Sequence, residues 1–235
     1  REVVPLTIRL DDQHKVLLVS GPNAGGKSVC LKTVGLLQYM VQCGLLIPLA
    51  DHSRVGIFKD IFLDIGDQQS LENDLSTYSS HLKNMNVFLQ QANEHSLVLL
   101  DELGSGTDPN FGGAIAQAIL ASLLNKKVWG LATTHYYNLK LFADQAQGIQ
   151  NAAMRFDEEQ LQPLYQLEIG KPGSSFALEI ARKTGLSAKT LQEAEKLVGT
   201  DLAGFEKLSR ALESERKEHE EKAKQVEKLQ AELKE

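Results

Sequence analysis

Gly21-Pro-Asn-Ala-Gly-Gly-Lys-Ser28 stands one residue beyond the apolar run Val16-Leu17-Leu18-Val19. The stretch fits the spacing G-x-x-x-x-G-K-[ST], and its setting fits too, with an apolar strand before it and a helical pattern after it. Its glycines let backbone N–H groups turn inward and approach phosphate oxygens closely. The helix that follows aims the positive end of its dipole at the same anion. In this reading Gly21, Pro22, Asn23, Ala24, Gly25, Gly26, Lys27, Ser28 and Val29 form a nucleotide-binding loop. Lys27 reaches the terminal phosphates of ATP, and the Ser28 hydroxyl ligates Mg²⁺.

Two further apolar runs, Leu97–Leu100 and Val128–Ala132, have the character of strands buried on both faces. Helical spacing separates the runs, over Lys27–Cys43, Ser76–Gln91 and Gly112–Leu124. Strands alternating with helices predict an α/β fold with a central, mostly parallel sheet covered on both faces. Shorter strands are expected over 1–19 and 53–66, and a hairpin over 151–169 closing the sheet edge. Helices are expected at 174–184 and 187–198. From about 204 the chain is rich in charge, with Phe205, Leu208, Leu212, Val226, Leu229 and Leu233 at heptad-like spacing interrupted by Glu215, His219 and Lys222. That pattern reads either as a solvated helix or as a coiled coil.

The strand at 97–100 runs into Asp101-Glu102. Asp101 is placed to hold a metal's water shell, and Glu102 to act as general base toward an attacking water. The base role needs a dry site that raises the proton affinity of Glu102. The third run ends at Ala132-Thr-Thr-His135, which puts His135 where it can touch a γ-phosphate. His14, His52, His81, His95 and His219 lack such a context.

With 235 residues, 42% hydrophobic and 24% charged, the chain can bury a sizeable core. A net charge of −6 gives no basic excess for gripping nucleic acid by its phosphates, so any nucleic-acid contact would need a local patch or a part of the protein outside this chain. No stretch approaches the roughly 20 apolar residues of a membrane span. Cys30 and Cys43 are expected as a buried reduced pair, which suits a cytosol. The chain starts in mid-pattern and is expected to be a piece of something larger.

Six ordered motifs carry a family resemblance: Gly21–Ser28, Gly44-Leu-Leu-Ile-Pro-Leu-Ala50, Asp60-Ile-Phe-Leu-Asp-Ile-Gly66, Leu75-Ser-Thr-Tyr-Ser-Ser-His-Leu82, Asp101-Glu-Leu-Gly-Ser-Gly-Thr107 and Ala132-Thr-Thr-His-Tyr136. Their order resembles that of ABC-type ATPases of the P-loop class, and their wording resembles the MutS family over about residues 5–198. Val29, Ser105 and Asp108-Pro109 depart from the mismatch-repair branch. The stretches Asp101–Pro109 and Ala132–Leu139 together resemble the second bacterial branch, which is associated with suppression of recombination, branched DNA and collided ribosomes, and often carries a C-terminal Smr nuclease domain. The resemblance implies a homodimer that sandwiches Mg-ATP, with Ser76 and Thr77 completing the site of the other copy. It also implies a link from Asp67-Gln68-Gln69 to a neighbouring domain, and endonuclease activity in a domain outside this chain. The implied organisation is an ATPase core at 1–170, a helix-turn-helix-like dimerisation pair at 171–200 and a coiled linker at 201–235. Three alternatives remain: mismatch repair proper, an ATP-gated dimerisation module with negligible turnover, and an ABC-type chromosome ATPase with coils flanking its core.

Overall fold

The computed structural model describes residues 3–22, 25–65, 74–157, 160, 162–198, 222 and 226, with 74–77 as backbone alone. The chain forms two units, Arg1–Ser175 and Phe176–Glu235. Unit 1 holds β1 (His14–Ser20), α1 (Lys27–Gln42), β2 (Asp60–Asp64), α2 (Asp74–Gln91), β3 (Ser96–Leu100), α3 (Pro109–Asn125), β4 (Trp129–Thr133), α4 (Tyr137–Gln145), β5 (Gly148–Asp157) and β6 (Gln162–Ile169). Unit 2 contains α5 (Ala177–Lys183) and α6 (Ala188–Leu197).

The strands form one sheet in the order β2-β3-β4-β1-β5-β6. Every neighbouring pair is parallel except β5 with β6, the hairpin that was expected at this edge. The apolar runs are continuous because both faces of the sheet are covered. Successive side chains point to opposite faces, so each run feeds two cores. Val16 and Leu18 join Val98, Leu100, Ala132, Met85, Phe88 and Leu120 on one face. Leu17 and Val19 join Leu97, Leu99, Leu131, Cys30 and Leu31 on the other. Burying each such leucine contributes about 1.5–3 kcal/mol. Phe62 of β2 and Phe88 of α2 meet with ring centroids 5.2 Å apart, fastening α2 over the sheet.

Several expected strands are absent among the described residues. No ladder forms over 3–13; Leu6, Ile8 and Leu10 lean on the core, half-buried. Asp11 sets the start of β1, because its carboxylate accepts the amides of Gln13 and His14 at 3.0 and 2.9 Å and closes a turn. Within 53–66 only Asp60–Asp64 is a strand. Before it, side chains of α1 replace a ladder: Gln38 donates to the Gly56 carbonyl, and Gln42 accepts the Phe58 amide. α3 starts three residues before the predicted Gly112, because Asp108 caps the amides of Asn110 and Phe111 and Pro109 sits at the first helical position. α4 carries no prediction.

In unit 2, α5 starts at Ala177 and not at residue 174, after Phe176 turns the chain with φ +52°. Ser187 caps α6 by accepting the Thr190 amide. Apart from helical Lys222 and Val226, the helix expected after residue 204 lies outside the described residues. The cysteines are not a buried pair: Cys30 is buried and Cys43 is exposed, both free.

Gly130 marks the tightest point of the sheet. A Cβ there would lie 2.1 Å from the Val98 carbonyl oxygen, a backbone atom of the neighbouring strand. Gly130→Ala is therefore expected to destabilise the chain by about 1–3 kcal/mol or more in urea denaturation. Gly56→Ala, whose Cβ meets nothing closer than the Phe58 ring at 3.9 Å, is expected to stay within about 0.5 kcal/mol of wild type. Equal midpoints for the two variants would contradict this packing.

Candidate functional site

β1, β3 and β4 are neighbours and point the same way, so their carboxyl ends open onto one edge of the sheet. At that edge β1 passes through residues 21–26 into α1. Gly21 and Gly26 have φ +132° and +91°, backbone conformations that favour glycine. A Cβ on Gly26 would also strike the Tyr165 ring at 2.8 Å. The Gly25 amide donates to the Pro22 carbonyl and holds the turn. Asn23 and Ala24 lie outside the described residues.

The start of α1 differs from that of α3. Gly26 offers no side-chain cap, and no acidic residue stands in the first turn. The first turn therefore aims the positive end of its dipole, with no acidic side chain to offset it, into a place that suits an anion. Lys27 is 2% exposed, and its ammonium donates to the carbonyls of Gly21 at 2.7 Å and Pro22 at 3.1 Å. Burial pulls its pKa down to about 8, opposed by Glu102 and Asp101 and reinforced by Lys140. Ser28 follows in the first turn, half-buried, and Val29 is exposed.

Opposite this loop, β3 ends and its chain turns. The Asp101 amide donates to the Asp64 carbonyl at 2.8 Å. Glu102 has φ +48°, a left-handed conformation that costs a non-glycine residue about 1–3 kcal/mol and persists only where its surroundings hold it. Its carboxylate meets His135 Nε2 at 3.2 Å. That hydrogen bond outweighs partial burial, and His135 and Lys27 add charge attraction, so the Glu102 carboxyl is held below the usual carboxylate range. The dry site that the base role needs is not present in the single chain: side-chain exposures of 34% for Glu102 and 38% for His135 leave the pair wet.

The expected residues Lys27, Asp101, Glu102 and His135 therefore come together. Ser76 and Thr77 stand in the first turn of α2, but their side chains, like Asp67-Gln68-Gln69, lie outside the described residues. Three residues not singled out in the sequence belong to the site's frame. Thr133 donates to Asp101 at 2.6 Å. His81, which the sequence left without context, sits 2.7 Å from the carboxylate of Asp64, which also accepts from Asn84. Asp64, Tyr78 and His81 line one small cavity with Asp101 and Glu102. The strand pattern Ile-Phe-Leu-Asp64 holds the only hint, a charge closing an apolar run. Behind the phosphate loop, Lys140 is 3% exposed and donates to the Gly173 carbonyl, while the Gly173 amide donates to Ser20 at the end of β1.

Among known families, the one described as MutS domain V matches residues 17–201. Proteins named Endonuclease MutS2 are similar. The one from Lachnoclostridium phytofermentans is 49% identical over 92% of this chain and 27% of its own length. The one from Thermomicrobium roseum is 48% identical over 88% and 26%, and one from Clostridium botulinum 44% identical over 99% and 29%. The chain thus spans a little over a quarter of the length of these relatives.

Free Lys27 loses its proton near pH 8, whereas a bound phosphate favours the ammonium and restores a high pKa. Nucleotide binding then takes up a proton above pH 8, so ADP affinity is expected to fall about tenfold per pH unit from there. Calorimetric titration at pH 7 and pH 9 reads this directly, and equal affinities would remove Lys27 from the phosphate contacts.

Proposed function

The chain belongs to the MutS family as its domain V, and from that premise we propose that it is the ATP-hydrolysing motor of a second-branch MutS-like protein. One observation carries the reading. An uncapped helix start and a buried lysine face a carboxylate pair and a histidine across one sheet edge. This edge supplies donors for phosphates on one side and acceptors for a metal and a water on the other.

The donor set suits Mg²⁺. Asp101 and the Ser28 hydroxyl are hard oxygen donors, and among the described residues no three His, Cys, Asp or Glu side chains are so placed that they could hold a metal ion by themselves. Mg²⁺ is commonly held in that way, by one or two protein oxygens together with substrate phosphates. When bound, the ion would neutralise charge on the phosphates. The protein's own residues do the rest. α1's first-turn amides and the Lys27 ammonium hold the β- and γ-phosphates. Glu102, kept ionised by His135, orients the attacking water, and closure of the second copy over this edge, by excluding water, would supply the dry site in which it accepts the proton. His135 reaches the γ-phosphate as that group arrives beside it.

The wider protein is proposed to be a homodimer in a bacterial cytoplasm, where the free thiols of Cys30 and Cys43 fit a reducing medium. No described helix is long and apolar enough to cross a membrane. The first turn of α2, with Ser76 and Thr77, faces the nucleotide of the other copy. Loss of the γ-phosphate then loosens the pair and shifts the nucleic-acid-gripping parts in the remainder of the protein. Branched or recombining DNA is the proposed substrate, with stalled ribosomes and their rRNA a further one. The name endonuclease carried by the relatives supports a cleaving domain elsewhere in such a protein.

Glu102→Gln tests the motor. Steady-state phosphate release is expected to fall by about 100-fold or more with ATP binding kept. In light scattering the same variant is expected to double its mass with Mg-ATP and not with Mg-ADP. Release no faster in wild type than in Glu102→Gln would favour a switch without turnover, and a mass indifferent to nucleotide would remove the sandwich from this chain.

A further inference from the structure

β3 and β4 are paired up to Leu100 and Ala132, where the ladder ends. Beyond it, the amides of Glu102 and Leu103 still have partners, and both belong to Thr133. The Glu102 amide donates to the Thr133 hydroxyl at 2.8 Å, and the Leu103 amide donates to the Thr133 carbonyl at 3.0 Å. The same hydroxyl gives its hydrogen to Asp101 Oδ1 at 2.6 Å. Thr133 is fully buried, so water does not compete for these bonds.

We propose that Thr133 is a positioning residue for both acidic side chains, holding Asp101 at a fixed rotation and Glu102 in its left-handed conformation. The proposal rests on the ATPase reading above and adds to it the group that orients the carboxylates. The chemistry is specific to a hydroxyl. A hydroxyl has one hydrogen to donate and lone pairs to accept with. Here the hydrogen goes to a carboxylate and a lone pair to an amide, which fixes the order of the two bonds. The amides on either side of the Glu102 α-carbon are thereby tied to one residue of the neighbouring strand. Its φ of +48° is then imposed by the frame, and its side chain is delivered to His135. Valine has the shape of threonine without either bond. It would leave the Glu102 amide unmet and Asp101 free to turn. Serine keeps both bonds.

Thr133→Val and Thr133→Ser, in the whole chain, separate positioning from packing. In the nucleotide-free protein, hydrogen exchange of the Glu102 amide is expected to quicken by about 10- to 100-fold in Thr133→Val and to stay at the wild-type rate in Thr133→Ser. With ATP, kcat is expected to fall about 10- to 100-fold in the valine variant with KM for ATP changed less than about threefold, and serine is expected to restore most of it. The Mg²⁺ concentration that half-saturates the metal-dependent gain in ADP affinity is expected to rise in Thr133→Val alone. Thr133→Ala, compared with Thr133→Ser, supplies the same contrast should valine disturb the strand. Wild-type exchange at Glu102 together with wild-type kcat in both hydroxyl-free variants would overturn the proposal. A wild-type chain without turnover would instead overturn the ATPase reading, and the exchange measurement would still decide whether Thr133 holds the Glu102 backbone.

Discussion

β4 is hydrogen-bonded to β1 on one side and to β3 on the other, in parallel with both. Each feature of the candidate site depends on that placement. It brings the phosphate loop after β1 and the carboxylates after β3 to the two sides of β4. At its own end β4 supplies Thr133 and His135. A close approach keeps the strands in place, since Gly130 leaves no room for a side chain against Val98. The cores on the two faces then hold the sheet against α1 and against α2–α4. The placement also explains why neighbouring residues in sequence act so differently. Thr133 is buried, Thr134 accepts the Tyr136 amide, and His135 reaches out to Glu102.

The edge so formed is electrically unfinished. Lys27 is buried and partnered with carbonyls in a conformation that burial makes costly for its charge. α1 begins with no cap, while α3, a few residues past the carboxylates, is capped by Asp108. A phosphate chain satisfies both the lysine and the helix start. Glu102 is the counterpart: its left-handed backbone and its bond to His135 present an ionised carboxylate toward the space facing the loop. Charge is thus sorted across the edge before a ligand arrives, the condition that electrostatic preorganisation requires.

Much of this was legible in the residues. The runs Val16–Val19, Leu97–Leu100 and Val128–Ala132 read as strands covered on both faces, because they are short, bounded by turn residues and lack the alternation that an exposed face demands. Their ends named Lys27, Asp101, Glu102 and His135. The rest escaped for physical reasons. Val3 to Ile8 alternate as a strand does, yet among the described residues no strand pairs with them, and Asp11 closes a turn first. Thr133 reads as one more β-branched strand residue, since nothing in a sequence shows that its hydroxyl replaces a ladder bond where β3 leaves the sheet. His81 and Asp64 lie 17 positions apart, and they meet only because α2 packs across β2. The proton affinity of Glu102, which no sequence pattern shows, is lowered in the single chain because a neighbouring histidine outweighs partial burial.

The central claim is that the amides at the start of α1 and the Lys27 ammonium hold the phosphates of a nucleotide. Hydrogen exchange across the whole chain, with and without saturating Mg-ADP, tests it most directly. The account predicts slowed exchange confined to the loop and first turn at residues 21–29 and to the facing edge at 101–103, with the opposite ends of the strands near His14 and Gly148 unchanged. Protection at those opposite ends with none at 21–29, under conditions where calorimetry shows ADP bound, would contradict it.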